Sequence, residues 1–148
     1  MSNQPYIISI DDEKLNQEII QDLLGEDFKI KLLSSGQDCF ESIKQKKPDL
    51  ILLDVNMPVM NGLEVCKQLR ANEDYQDIPI IFVSALVSPK ERLAGYEAGG
   101  DDYLTKPFNE EELLTKINLL LKIKAQKIEQ QQENKYATDT AMSAMTSA

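Results

Sequence analysis

Five side chains in this sequence could together handle a charged phosphorus centre: Asp11, Asp12, Asp54, Ser84 and Lys106. Each stands at the end of a short strand-like run. Residues 6–10 lead into Asp11 and Asp12, 50–53 into Asp54, 78–83 into Ser84, and 102–105 into Lys106. Three carboxylates brought together repel, and one lysine leaves them under-neutralised. A divalent cation would bring the formal sum of −3 and +1 to zero. Oxygen ligands without His or Cys suit Mg²⁺, which keeps waters and bridges to phosphate. An aspartate can attack phosphorus and form an acyl phosphate. A serine hydroxyl can donate to a phosphoryl oxygen, and an ammonium can neutralise charge in flight. Singly, each residue has an ordinary explanation: Asp11 and Asp12 as a helix cap, Asp54 as a turn former, Lys106 as a solvated lysine. Their arrival at the ends of four of the strands is what argues for a site.

The elements that must position them alternate five times. Strand-like runs at 6–10, 28–33, 50–53, 78–83 and 102–105 are each followed by a helical pattern. In the first helix Leu15, Ile19 and Leu23 recur every four residues, backed by Ile20 and Leu24, with Gly25 as its stop. Ile30 and Leu32 alternate with lysines, as on an edge strand. The runs at 50–53 and 78–83 are apolar throughout, the mark of central parallel strands. Ser35 with Asp38, Ser88 with Pro89 and Glu91, and Asn109 before Glu110 and Glu112 open three of the helices. Five such units predict an α/β fold, a flavodoxin-like doubly wound five-stranded parallel sheet of order 2-1-3-4-5, with an extended C-terminal helix. In such a sheet ligands sit beyond the carboxyl ends of the strands, where the five residues fall.

Composition narrows the function. The chain has 148 residues, no histidine and a formal net charge of −9. That charge disfavours direct binding to nucleic acid or to an acidic membrane. No apolar run approaches the ~20 residues of a membrane span. The first ten residues lack the basic stretch of a signal peptide. Cys39 and Cys66 form no pair motif and read as small buried thiols in a reducing, cytoplasmic setting.

Taken together, the Asp-Asp-Glu at 11–13, the run Asp54-Val55-Asn56-Met57-Pro58-Val59-Met60-Asn61-Gly62, Ser84-Ala85 and Lys106-Pro107-Phe108 resemble bacterial response-regulator receivers of two-component signalling. The resemblance covers about residues 5 to 123. It implies that Asp54 accepts a phosphoryl group from a phosphohistidine on a sensor histidine kinase or phosphotransfer protein. It implies that Asp12 and Asp54 bind Mg²⁺ directly with the Asn56 carbonyl, and that Asp11 acts through water. It further implies that Ser84 and Lys106 hold phosphoryl oxygens, that the Lys106–Pro107 bond is cis, and that Tyr103 is the aromatic switch, moving inward on phosphorylation. Such a protein is not an enzyme in the ordinary sense, because it acts only on its own phosphorylation state. Leu86, apolar where some relatives are polar, implies slow self-dephosphorylation.

Two other classes share part of the pattern. A phosphatase of the haloacid-dehalogenase type needs a second aspartate two residues after the nucleophile, and Asn56 stands there, unable to protonate a leaving group. A flavodoxin needs an anion-binding loop after the first strand, where this chain has three acids. A degenerate receiver acting only as an interaction module would lack Asp12, Asp54 or Lys106.

The domain expectation is a receiver over 5–123 and a helical extension with flexible linker over 124–148, reading as the place where a further domain would begin. Helix is expected to about Lys135. Leu114, Ile117, Leu121 and Ile128 lie near a heptad spacing. With Ile128 taken to lie beyond the sheet, they suggest a weak homodimer through the last helix.

Overall fold

Alternate strand residues point to opposite faces. Here both faces are apolar, so the sheet requires helices on each side. The computed structural model describes residues 4–85 and 88–146, and side chains as far as residue 133. Its elements are β1 (Tyr6–Ile10), α1 (Lys14–Leu24), β2 (Lys29–Leu33), α2 (Gly36–Gln45), β3 (Leu50–Asp54), α3 (Gly62–Arg70), β4 (Ile80–Ser84), α4 (Pro89–Glu97), β5 (Asp102–Thr105) and α5 (Glu110–Thr146). The sheet order is β2-β1-β3-β4-β5, all pairs parallel, as the alternation of elements predicts. Every residue of β3 and β4 is buried, and β2 forms an edge.

One face sets Ile7, Leu50, Leu52, Ile81, Val83 and Leu104 against Ile20 and Leu24 of α1 and Leu113 and Ile117 of α5. The other sets Ile8, Ile10, Ile51, Leu53 and Phe82 against residues of α2 and α3, Cys39, Ile43, Val65, Cys66 and Leu69 among them. Each such large side chain contributes about 1.5–3 kcal/mol on burial, far more than any surface pair. The two cysteines are free and buried. Burial pushes the Cys39 thiol up to about 12 and the Cys66 thiol up to about 11, so both are inert packing groups.

Five expectations shift. In α1 the sheet takes the backing pair, Ile20 and Leu24, while Leu15 is 66 % and Ile19 40 % exposed. The two apolar rows are neighbours on the helix, and periodicity alone does not say which one the sheet selects. Gly25 ends α1 with a right-handed φ of −63°, not with a left-handed cap. In α5 the fully buried pair is Leu113 and Ile117, with Leu114 and Leu121 only partly covered. Ile128 is not beyond the globule: with Lys47, Asp77 and Pro79 it lines a groove at the amino-terminal edge of the sheet, 46 % exposed. The helix runs on past Lys135 to Thr146, and the alanines and methionines of that stretch are good helix formers. Leu86 lies outside the described residues, and with it the expectation about dephosphorylation rate. The last two residues of the expected extension, Ser147 and Ala148, lie outside them too.

Among the described residues no helix is long and apolar enough to cross a membrane. Arg70 at the end of α3 donates to the carbonyls of Gly99, Gln76 and Ile78 at 2.8, 3.0 and 2.7 Å, and to Asp101 at 2.8 Å. Asp101 in turn accepts from Ile80 N at 2.8 Å. That cluster fixes where β4 begins and, through strand length, where it delivers Ser84.

Candidate functional site

Strand ends bring the predicted residues together. β1 releases the chain at Asp11, which is buried, and Asp12, which is exposed. β3 ends on Asp54, 4 % exposed. One carboxylate oxygen from each of Asp11, Asp12 and Asp54 lies within 4.8 Å of the others. From the end of β5, Lys106 reaches across to put its Nζ 2.9 Å from Asp11 Oδ2 and 3.6 Å from Asp54 Oδ1. The Lys106–Pro107 bond is cis, as the resemblance implied.

The bland role of Asp11 is also real: its Oδ1 accepts from Glu13 N at 2.9 Å, shaping the turn into α1. Sequence reasoning missed Gln17. Its Nε2 donates to the carbonyls of Asp11 and Leu33 at 2.8 and 3.0 Å, clamping α1 to the ends of β1 and β2. No spacing rule marks a glutamine for that task; a polar residue one turn into α1 was the only signal.

Asn56 N donates to Asp54 Oδ1 at 3.3 Å, and its Nδ2 donates to Ser84 Oγ at 3.3 Å. Ser84 is fully buried at the end of β4. Tyr103, 4 % exposed, packs its ring 6.1 Å from that of Phe82. Its inward move was expected to follow phosphorylation; here Tyr103 already stands inside, because Gly95 of α4 leaves room for the ring.

Electrostatics match the crowding. Burial, then the charge of Asp11, push the Asp54 carboxyl up from 3.8 to about 6, against the pull of Lys106 and the Asn56 N–H. Burial opposes the charge on Lys106, but its hydrogen bond to Asp11 and the charges of Asp11 and Asp54 win, holding it above the ordinary lysine value. The carboxylates therefore outweigh their one cation. Oxygen donors with surplus negative charge, and no nitrogen or sulfur ligand, fit a hard divalent ion.

The loop after β3 holds a strained residue at the rim. Val59 has φ 69° and is 99 % exposed. A β-branched side chain in the left-handed region is costly, and here it packs on nothing that would compensate. Val59→Asn should therefore raise stability by about 1 kcal/mol, read as a higher urea midpoint at unchanged slope. An unchanged midpoint would show that the backbone there carries no strain.

Residues 7–118 match the response regulator receiver domain family. The response regulator MprA of Mycobacterium leprae is 42 % identical over 117 residues, 78 % of this chain and 50 % of that protein. The chain thus spans about half the length of the curated relatives it matches. Among solved structures, the receiver domain of the Francisella response regulator 1452 superposes with a TM-score of 0.74 at 32 % identity, covering 80 % of this chain and 98 % of that one. The receiver domain of the Pseudomonas aeruginosa sensor histidine kinase PA1611 gives 0.74 at 28 %, with the same coverage, and carries a magnesium ion in its active-site cleft.

Proposed function

The chain belongs to the response regulator receiver domain family, and on that premise we propose that Asp54 takes a phosphoryl group from a phosphohistidine. The observation behind this is the meeting of Asp11, Asp12 and Asp54 with Lys106 at one rim. A carboxylate oxygen of Asp54 attacks phosphorus. The new O–P bond forms as the donor's N–P bond breaks, and the electron pair leaves on the imidazole nitrogen, which then takes a proton. Lys106 neutralises charge on the phosphoryl oxygens, and Ser84 donates its hydroxyl to one of them. Asp11, Asp12, Asp54 and the carbonyl of Asn56 would hold Mg²⁺, which when bound supplies charge neutralisation for the entering group.

The partner is a sensor histidine kinase or phosphotransfer protein. Leu15 and Ile19, exposed at i and i+4 on α1 next to the acidic rim, offer it an apolar contact. Residues 5–123 make up the receiver, and the extension that follows, helical as far as Thr146, carries its signal away. The reaction modifies the protein itself, so there is no turnover on a foreign substrate. A reducing cytoplasm is the setting that leaves both thiols free. Nothing favours the phosphatase alternative: position 56 is an amide committed to Ser84, not an acid.

The test is incubation with acetyl phosphate and Mg²⁺, followed by peptide mapping. One phosphoryl group should appear, on Asp54, and EDTA should prevent it. Label on another residue, or uptake indifferent to EDTA, would overturn the assignment.

A further inference from the structure

The groove at the amino-terminal edge of the sheet, a strand's length from the acidic rim, has a volume of about 350 Å³. It runs between the loop that leads into β4 and the turns of α5 around Lys124 and Ile128. The loop side is fixed in place. Arg70 donates to the carbonyls of Gln76 and Ile78 at 3.0 and 2.7 Å, and Ile51 N donates to Pro79 O at 2.9 Å. The helix side is apolar and accessible, with Ile123 38 % and Ile128 46 % exposed. Six charged residues line the groove, and Arg70 and Asp101 satisfy each other at 2.8 Å. Lys47, Lys124 and Lys127 are left with Asp77. Among the described residues none of these three lysines forms an ion pair. Asp49, the other acid that acts on Lys124, already accepts from Tyr6 N at 2.7 Å. Burial, helped by the charge of Lys47, holds the Lys124 ammonium below the ordinary lysine value against the pull of Asp49 and Asp77. On a chain of net charge −9 this surplus of cations runs against the trend of the whole surface.

We infer that this groove is a binding site for a nucleoside phosphate. The lysines call for an anion, and a point-like ammonium is a good phosphate partner. A bare phosphate would leave Pro79, Ile123 and Ile128 wet. The volume is that of a small-molecule site, about 300–1,000 Å³, and an aromatic base would cover those apolar walls. Asp77 and the amides of Gln76 and Gln131 stand in the same groove, ready for hydrogen bonds to base or sugar. Such a ligand touches the body through Lys47, Asp77 and Pro79 and the helix through Lys124, Lys127 and Ile128, so it ties the start of the helical extension to the body.

The probe is ADP in EDTA, titrated into the full ¹⁵N-labelled chain and followed by amide shifts and calorimetry, with pyrophosphate as the control anion. EDTA keeps divalent cations off the carboxylates at the rim. ADP should shift amides within 76–80 and 120–131 and slow hydrogen exchange over 124–131. Lys47→Ala and Lys124→Ala should each weaken ADP about five- to tenfold. Lys122→Ala removes the same charge from α5 outside the groove and should leave the affinity unchanged. Pyrophosphate should bind at least about tenfold more weakly than ADP, and Ile128→Ser should weaken ADP alone. Silent amides in the two segments, or lysine variants that bind as tightly as the parent, would overturn the site. Pyrophosphate as tight as ADP would show an anion hole without a place for the nucleoside and would overturn the ligand class. A hexaglutamate peptide that shifts these amides where ADP does not would mark a surface for acidic protein segments and overturn it as well.

Discussion

Asp54→Asn is expected to take up no phosphoryl group from acetyl phosphate and yet to be more stable than the parent chain at pH 7.5 in EDTA. The first half follows from the amide, which lacks the nucleophilic oxygen. The second follows from the electrostatics. The Asp54 carboxyl is raised from 3.8 to about 6, first by burial and next by Asp11. A raised carboxyl pKa means that the folded chain holds the proton more tightly than the unfolded one. Between about pH 4 and 6 the folded state binds more protons, so stability falls as pH rises, and above about 6 the full penalty is present. The ceiling on that penalty is about 3 kcal/mol at 1.36 per pH unit. Solvent at the open rim and local relaxation reduce it to about 1–2 kcal/mol. Removing the charge should recover this, raising Tm by about 3–6 °C. The gain should fade as pH is lowered toward 4, where the parent's carboxyl is already protonated, and should shrink in Mg²⁺. If the Asp54→Asn variant is no more stable than its parent at pH 7.5 in EDTA, the clustered carboxylates are not under strain.

Gly62→Ala should damage both fold and chemistry. Gly62 opens α3, and its N–H donates to Val55 O at 3.0 Å. A methyl group there would overlap the Asp54 carbonyl oxygen and lie 3.0 Å from both Asp54 C and Val55 Cα. All three are backbone atoms, with no rotamer by which to step aside. Either the start of α3 retreats or Asp54 itself moves. Overpacking of this kind costs about 1–3 kcal/mol, and here the upper end is expected. Displacement of the acceptor by about an ångström should slow phosphoryl uptake by about 100-fold. Urea midpoints and uptake rates on the purified variant check both. Parent-like values for both would mean that α3 does not crowd the acceptor.

The same glycine shows where sequence reading stops. In the sequence Asn61 and Gly62 only close the run that begins at Asp54. In the structure Asn61 Oδ1 caps α3 by accepting from Glu64 N at 3.0 Å, and Gly62 is there for close approach. Strand order and rim residues were legible because apolar runs fix the strands, and a parallel sheet fixes which ends converge. Legibility failed wherever the answer depended on the angle at which one element meets another. The row of α1 that turns inward, the resting place of Tyr103 and the clamp made by Gln17 all belong there. So does Arg70, whose three carbonyl partners lie between 6 and 29 residues away in the chain. Nothing in local pattern announces such a partner.

The length of α5 sets a mechanical scale. Ile128 still lines the groove beside Lys47, Asp77 and Pro79, and the helix continues from there to Thr146. At 1.5 Å per residue that is a rod of about 27 Å, set on a body with a radius of gyration of about 14 Å. A tilt of about 5° where the rod leaves the body becomes a sweep of about 2 Å at its tip, a leverage fixed by that length. Side-chain rearrangements too small to reshape the body can thus arrive at the far end as a displacement as large as a hydrogen bond is long. The rod transmits torque only while it stays helical, and helix ends fray. Whatever stiffens the far end therefore sets the gain.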